Sequence, residues 1–388
     1  MSLGAGVGAG VKRRIREPVI RARLCSHYGH SHEFDAIHKF SGNTPMSMTF
    51  FRNALTAYSM SSNAASNAVR GRQGKACVLA GPFADIRSAC GAFEWVSLGY
   101  LAWITAIIAV FHKNIAHPSA FLCWHCEIAV AIIALAVSAR RFPNARALRF
   151  ARHWYPLPLY IFLFEELNAL VHVIFSFWLD RYFIAFDHAL TGVNPSMWLA
   201  QFASPALNDF MQFSYMTYFL YLVILPAVLY AAKERRAFWE VMVSTAIAHY
   251  TVYFISVLMP VESPHFSLAS IEAVRLSGGF FTHLINWLES YALVRGAAFP
   301  SAHVAGSTVA ILASWRYRRW LFWVCLPFFL CMCVATVYGR YHYVADVLAG
   351  LATGVWGFQA GQWLMERRGA LPVASQTDAR ELRMAKSE

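Results

Sequence analysis

Residues 320–338 read WLFWVCLPFFLCMCVATVY, an apolar run without a single charged side chain. A helix of about 20 such residues is long enough to cross the hydrocarbon core of a bilayer. Similar runs lie on both sides of it, at residues 92–111, 120–138, 155–179, 210–232, 238–259, 300–314 and 343–364. The pattern predicts an all-α fold, a multi-pass membrane helical bundle of about eight spans.

The composition supports a membrane protein. Of 388 residues, 58% are hydrophobic and only 14% are charged, whereas a soluble chain carries about 25% charged residues. A soluble fold would have to bury several helices of this length completely. The eight cysteines indicate no disulfide framework, and the pair in Cys123-Trp124-His125-Cys126 lacks the second pair that a zinc site needs, which favours packing.

Positive charge orients the predicted spans. Residues 1–90 contain 12 Lys and Arg against 4 Asp and Glu, so they supply +8 of the net charge of +12. This segment is predicted to be a basic, disordered tail, and its Arg- and Ser-rich composition also fits an organelle transit peptide. Nucleic-acid binding is the alternative for a basic tail, but no recognition motif accompanies the charge, so no nucleic acid is expected.

The basic connections between the spans agree on one orientation. With eight spans, the Lys- and Arg-rich segments 139–153, 233–236, 315–319 and 367–368 fall on the same face as the N-terminus. The positive-inside rule makes that face cytoplasmic. The opposite, outer face receives 112–119, 180–209, 260–299 and 339–342. The expected location is the cell membrane.

Two polar motifs are placed on the outer face by this topology. In Gly339-Arg340-Tyr341-His342-Tyr343-Val344-Ala345-Asp346, the His342 and Asp346 side chains are four residues apart and share a helix face. A carboxylate beside an imidazole fixes its tautomer, and an oriented imidazole is a nucleophile towards phosphorus. Arg340 can hold phosphate oxygens.

The second motif is Phe299-Pro300-Ser301-Ala302-His303. Pro suits the first turn of a helix, whose free N–H groups bind anions, and Ser301 adds a hydroxyl donor. His303 can protonate a leaving alkoxide, and Arg295 adds positive charge nearby. For either motif alone packing is the favoured explanation, but the two together at one membrane face favour a catalytic site for a phosphate ester.

These residues resemble the second and third signature motifs of the type 2 phosphatidic acid phosphatase superfamily. The run 295–301 and the phrase 342–347 are similar to its inositol phosphorylceramide synthase-like branch. The resemblance implies a six-helix membrane core over residues 155–364, with no metal and no other cofactor. It implies His342 as nucleophile, Asp346 as its partner, His303 as acid, and Arg340 and Ser301 as phosphate ligands.

One departure from the superfamily concerns its first motif, a Lys followed at a distance by Arg-Pro. The segment 260–265 lies about where that motif should end, and His265 stands in place of the Arg. His265 and Arg295 are therefore further candidates for phosphate binding. The loss of a cation here puts simple phosphatase activity in question.

The predicted organisation is a tail (1–90), two additional spans with a basic loop (91–154), the core (155–364) and a cytoplasmic C-terminal tail (365–388). The predicted function is a lipid phosphatase or phosphotransferase that acts on a phospholipid or sphingolipid at the outer face. It is expected to work through a phospho-histidine intermediate on the protein. The alternative is a non-catalytic protein that binds or moves lipids.

Several other polar residues fall inside the predicted spans. Glu165, Asn168 and His172 share a helix face beside Glu166, which fits a headgroup contact and a buried hydrogen-bonded knot equally well. The remaining ones are read as interfacial anchors or packing residues: Tyr215, Tyr218, His249 and Tyr250.

Overall fold

The computed structural model describes residues 82–269, 276–292 and 294–367. Residues 1–81 of the predicted tail and 368–388 at the C-terminus lie outside this part of the chain, and the predicted segment boundaries stay predictions. The helices are α1 Pro82–Ala89, α2 Ala92–Val110, α3 Pro118–Arg141, α4 Arg146–Trp154, α5 Pro156–Glu165, α6 Leu167–Leu170, α7 Asp180–Thr191, α8 Pro195–Ala200, α9 Pro205–Ala231, α10 Arg235–Leu258, α11 Pro264–Ser267, α12 Phe280–Ala292, α13 Ala302–Tyr317, α14 Arg319–Tyr338 and α15 Val344–Arg367.

The prediction of an all-α membrane bundle is confirmed. Among the described residues, five helices are long and apolar enough to cross a membrane, namely α2, α3, α9, α10 and α14. No strand occurs in the described ranges beyond one isolated bridge between Val261 and Ala297.

The other three predicted runs take different forms. Residues 155–179 do not make one span, because α5 ends at Glu165, α6 covers one turn, and residues 171–179 are not helical. Helix α13 has 16 residues, and α15 has 24 but contains Asp346 and several glycines. The three apolar runs correctly predicted where these segments lie in the sequence, but not how long their helices are.

Helix α10 lies at the centre of the bundle. It packs against α15, α13 and α2, while α9 packs against α14, α13 and α12. In its most apolar window 72% of α10 is buried, against 17% for α3, which packs on α2 at the periphery. A helix this apolar and this little buried is suited to contact with lipid.

Glycines let α15 approach its neighbours closely. A Cβ atom on Gly354 would lie 2.6 Å from the carbonyl oxygen of Ala305 in α13, and one on Gly357 would lie 2.8 Å from the backbone nitrogen of Ala248 in α10. Only a residue without Cβ fits so near another backbone. This packing holds the first turns of α13 and α15 side by side.

Ion pairs are found at the end of α13 away from its first turn. Arg152 reaches the buried carboxylate of Glu94 at 2.9 Å, and Arg318 reaches Glu234 at 2.6 Å. The predicted cytoplasmic basic segments therefore contact acidic side chains of neighbouring elements at this end.

Candidate active site

The two predicted motifs meet at one end of the bundle. His303 is in the first turn of α13, and His342 lies in the turn between α14 and α15. Their ring centroids are 5.9 Å apart. A single phosphate can bridge two imidazoles separated by about 7–8 Å, the sum of two hydrogen bonds and the width of the ion. The pair is close enough to act on one phosphorus atom.

A carbonyl group orients His342. Its Nδ1 lies 2.8 Å from the carbonyl oxygen of Ala298 and 3.4 Å from Oδ2 of Asp346. Both neighbours are acceptors, so Nδ1 carries the proton and donates it to Ala298 at the shorter distance. The lone pair is then on Nε2. Sequence reasoning missed Ala298, because a backbone carbonyl leaves no signature in residue type.

The Ala298 carbonyl is itself fixed by the neighbouring segment. The N–H of Ala298 donates to the carbonyl of Val261 at 3.1 Å, beside the isolated bridge between Val261 and Ala297. Val261 and His342 are both buried. The loop after α10 thus sets the position of the group that orients the predicted nucleophile.

Asp346 contributes to the turn as much as to the imidazole. Its side chain is fully buried, and Oδ2 accepts the N–H of Tyr343 at 2.8 Å. Its backbone carbonyl accepts the N–H of Ser301 at 3.1 Å. Asp346 therefore connects the two motifs directly, in addition to its contact with His342.

Ser301 is the N-cap of α13. Its hydroxyl oxygen accepts the N–H of Val304 at 3.3 Å, and the residue is 0% exposed. The helix begins at Ala302, so the expectation that Pro300 lies in the first turn is wrong by two positions. The Ser301 oxygen thus satisfies one of the free N–H groups at the helix end that the sequence suggested as an anion site.

Arg340 and His265 are neighbours, as the predicted phosphate site requires. Arg340 has a positive φ of 67° and is mostly buried, and its carbonyl accepts the N–H of His265 at 3.0 Å. Burial and then the Arg340 guanidinium lower the pKa of the His265 ring. The ring is neutral at pH 7, so it offers a hydrogen bond but does not replace the charge of an Arg.

Arg295 is engaged on the other side of this segment. Its guanidinium forms an ion pair with Glu262 and lies 4.9 Å from the ring centroid of Phe266. The Arg295 side chain is 46% exposed and that of Glu262 is 8% exposed. The carboxylate compensates much of the positive charge that the sequence assigned to phosphate.

Aromatic rings surround His303. The centroids of Tyr215 and Tyr218 lie 4.5 Å and 4.4 Å from its ring, and Tyr341 stacks on Tyr215 at 4.4 Å. Tyr215 and Tyr218 therefore line the site, where the sequence suggested membrane anchors. These tyrosine rings form a wall beside His303 and restrict the rotation of its ring.

A buried pair lies behind this wall. The hydroxyl of Tyr218 is 2.8 Å from Nε2 of His249, whose Nδ1 is 2.9 Å from the carbonyl of Thr245. Since the carbonyl must accept from Nδ1, the Tyr218 hydroxyl donates to Nε2. His249 thus packs, as predicted, and also holds Tyr218 in place.

Two aspartates that sequence reasoning did not select hold the candidate catalytic turn, residues 339–343 between α14 and α15. Asp187 in α7 accepts the N–H groups of Val344 and Ala345 at 2.8 Å and 3.1 Å, which caps α15. Burial raises the pKa of Asp187, and these two bonds lower it. The spacing of Asp180 and Asp187, which lie one heptad apart and therefore share a helix face, was the available signal.

Asp180 ties the turn to the loop after α10. It accepts the Tyr343 hydroxyl at 2.8 Å and the N–H groups of Glu262 and Ser263 at 2.9 Å and 3.2 Å. The segments that carry His342 and His265 are therefore held by the same carboxylate.

The second polar cluster lies outside this site. His125 bonds to Glu166 at 2.7 Å and to Thr105 at 2.8 Å, which joins α3, α2 and the break after α5. The buried partner of His125 is Glu166. The residues of the predicted face are not buried: Glu165, Asn168 and His172. The arrangement is a hydrogen-bonded knot, and Cys123 and Cys126 on the same helix are exposed.

Fold and site together define an α-helical membrane protein with a pair of histidines at one end of its bundle. Residues 181–360 match the family model of the PAP2 superfamily, which supports the superfamily that the motifs resemble and a phosphatase-type membrane protein. Comparisons with curated proteins and with solved structures found no match. The inositol phosphorylceramide synthase-like branch stays a prediction.

Proposed function

We propose that this protein is an integral membrane enzyme, a lipid phosphatase or phosphotransferase that forms a phospho-histidine at His342. The observation that supports this best is the 5.9 Å separation of the His303 and His342 rings, with Nδ1 of His342 held by the Ala298 carbonyl. A phosphorus atom between the rings would face one nucleophile and one acid.

In the first step, the Nε2 lone pair of His342 forms a bond to phosphorus. The bond from phosphorus to the leaving oxygen breaks, and that oxygen keeps the electron pair and takes a proton from His303. The imidazole becomes positive on phosphorylation, and the Ala298 carbonyl and Asp346 stabilise it through Nδ1. Arg340 holds the equatorial oxygens, with His265 as a neutral donor and Ser301 and Arg295 as further proposed contacts.

In the second step, His303 accepts a proton from water or from an alcohol. The deprotonated oxygen bonds to phosphorus while the bond to Nε2 breaks and its electron pair returns to His342. Water gives a phosphatase and a lipid or polyol hydroxyl gives a transferase, such as an inositolphosphotransferase. The proposed chemistry uses side chains and needs no metal.

The proposed substrate is a phospholipid or a sphingolipid reached from the outer leaflet of the cell membrane. The site lies at the end of the bundle away from the Arg152 and Arg318 ion pairs. The positive-inside rule places the basic end in the cytoplasm.

The test is turnover by purified protein in liposomes, with EDTA, on a panel of long-chain phospholipids and sphingolipids. Phosphate release and headgroup exchange are both measured. We expect His342→Ala to reduce turnover to background and His303→Ala to lower kcat by about 10²–10⁴-fold, as for loss of a general acid. His303 also acts as the base of the second step, so an acid-labile phospho-histidine trapped in His303→Ala would support the two-step course. The exposed His112 provides the matched control His112→Ala, which should behave as wild type.

The second candidate function is lipid binding or lipid movement without catalysis. The neutral His265 and the pairing of Arg295 with Glu262 favour it, because both reduce the positive charge available to phosphate. Lipid binding by wild type and His342→Ala alike, with no turnover of any lipid in the panel, would select this function. Turnover that survives in His342→Ala would rule out the proposed nucleophile.

A further inference from the structure

Helix α7 carries three distinct stripes of residues. Its buried residues are Asp180, Phe183 and Asp187, which face the catalytic turn. At about 100° per residue, the exposed apolar residues form a second stripe and the exposed basic residues a third, each about 120° from the next. The apolar stripe consists of Tyr182, Ala185, Phe186, Ala189 and Leu190, and the basic stripe consists of Arg181 and His188.

The apolar stripe is exposed to an unusual degree. Tyr182, Phe186 and Leu190 are 55%, 48% and 56% exposed. A helix at the surface of a globular domain turns its polar residues away from the protein. Here the protein-facing stripe contains two carboxylates and an outward stripe is apolar, which is the reverse pattern.

The position of α7 identifies what covers this stripe. Asp187 bonds to Val344 and Ala345, only six and seven residues beyond Tyr338, where the membrane-crossing helix α14 ends. α7 therefore lies at the depth where a span leaves the bilayer. Its 12 residues make a helix about 18 Å long, too short to cross a hydrocarbon core of about 30 Å.

We propose that α7 is an interfacial helix that binds the lipid bilayer around the catalytic end. Its apolar stripe enters the boundary between headgroups and acyl chains, while Arg181 and His188 face the headgroup phosphates. Through Asp187 and Asp180 on its buried stripe, the helix fixes the turn containing His342 at the depth of lipid headgroups. The consequence for catalysis rests on the proposed function.

The lipid contact is tested on wild-type protein in liposomes with a phosphatidylcholine that carries a diazirine near the glycerol end of one acyl chain. After illumination, labelled peptides are located by mass spectrometry. We expect adducts on Tyr182, Phe186 or Leu190. Val334, an exposed residue one turn before the end of α14 at Tyr338, is the internal control. Labelling of α14 with none on α7 would overturn the proposal.

The catalytic consequence is tested with the double variant Phe186→Ser/Leu190→Ser. These side chains are exposed, so their loss should leave the fold intact. We expect turnover of long-chain lipid in liposomes to fall about tenfold. The two substitutions remove part of the transfer free energy of two apolar side chains, so a smaller fraction of the molecules has α7 bound to the bilayer. Turnover of a short-chain, water-soluble substrate should change by less than about twofold, since it needs no bilayer contact.

The matched control is Ala185→Ser/Ala189→Ser, on the same stripe but with little apolar area to lose. Equal losses on both substrates, or no loss on either, would contradict the catalytic role. If wild type turns over no lipid at all, the proposed function fails, and the photolabelling result still decides whether α7 binds the bilayer.

Discussion

The reactivity proposed for His342 depends on groups that are far apart in the sequence. The carbonyl of Ala298 accepts the hydrogen bond from Nδ1 of His342, and the N–H of Ala298 donates to the carbonyl of Val261. Asp346, the neighbour that the motif itself supplies, is farther from Nδ1 than the carbonyl is. A donor that already has a strong acceptor is oriented before substrate arrives, which reduces the cost of reaching the transition state.

The first residue-scale prediction concerns Asp187. Asp187→Asn keeps one oxygen for Val344 or Ala345 but places an NH₂ group against the other N–H. A lost helix cap costs about 1–2 kcal/mol, and we expect kcat to fall about tenfold with KM unchanged, because only the catalytic turn moves. The measurement is steady-state kinetics on one lipid, with the exposed Asp85→Asn as control. A rise in KM at constant kcat would contradict a positioning role.

The second residue-scale prediction concerns His265. The lowered pKa keeps its ring neutral at pH 7, and the ring gains a positive charge only as the pH falls below the ordinary value of 6.5. For a phosphodiester lipid, whose charge is constant over this range, KM should fall as the pH falls. His265→Arg should lower KM about three- to tenfold at pH 7, as a charge-assisted bond to phosphate would, and make it independent of pH. A wild-type KM that does not vary between pH 5 and pH 8 would contradict this.

At the scale of the elements, α15 is held against α13 and α10 by backbone proximity. Its close approach to Ala305 and Ala248 depends on glycines, since a Cβ at Gly354 or Gly357 would meet their backbone atoms. Since Asp346 is in the first turn of α15 and Ser301 caps α13, the spacing of these two helices also sets the spacing of the two motifs.

Gly354→Ala tests this packing. The new Cβ would lie 2.6 Å from the Ala305 carbonyl oxygen, so α15 must move away from α13. Overpacking of this kind costs about 1–3 kcal/mol, and we expect a lower midpoint of thermal unfolding in detergent together with reduced turnover. Gly99→Ala is the matched control, because its Cβ would meet nothing within 4 Å. An unchanged midpoint for Gly354→Ala would show that the two helices separate at no cost.

Sequence reasoning succeeded where the membrane imposes a pattern and failed where partners are remote. The spans α2, α3 and α14 were predictable because lipid contact requires uninterrupted apolar side chains. The break after Glu165 was not, since the polar residues of the run 155–179 were assigned to one helix face and Glu166 finds its partner on another helix. The bonds of Asp187 to residues more than 150 positions away leave no local pattern.

At the scale of the whole molecule, charge differs between the two ends of the bundle. The end with Arg152, Arg316 and Arg318 contains ion pairs to glutamates of neighbouring elements. The end with His342 contains buried carboxylates, and their oxygens accept hydrogen bonds mainly from backbone N–H groups and hydroxyls. Cations beside spans retain a segment in the cytoplasm, while acidic residues have little influence on orientation.

This asymmetry predicts that the catalytic end faces away from the cytoplasm. His188 is exposed at the catalytic end, and Asn144 is exposed in the connection between α3 and α4 beside Arg146. In intact cells, a membrane-impermeant thiol reagent should label His188→Cys above the wild-type background and should reach Asn144→Cys only after permeabilisation. The reverse pattern would place the site in the cytoplasm and exclude outer-leaflet lipids as its substrates. Equal labelling of both before permeabilisation would contradict the prediction that the two ends face different compartments.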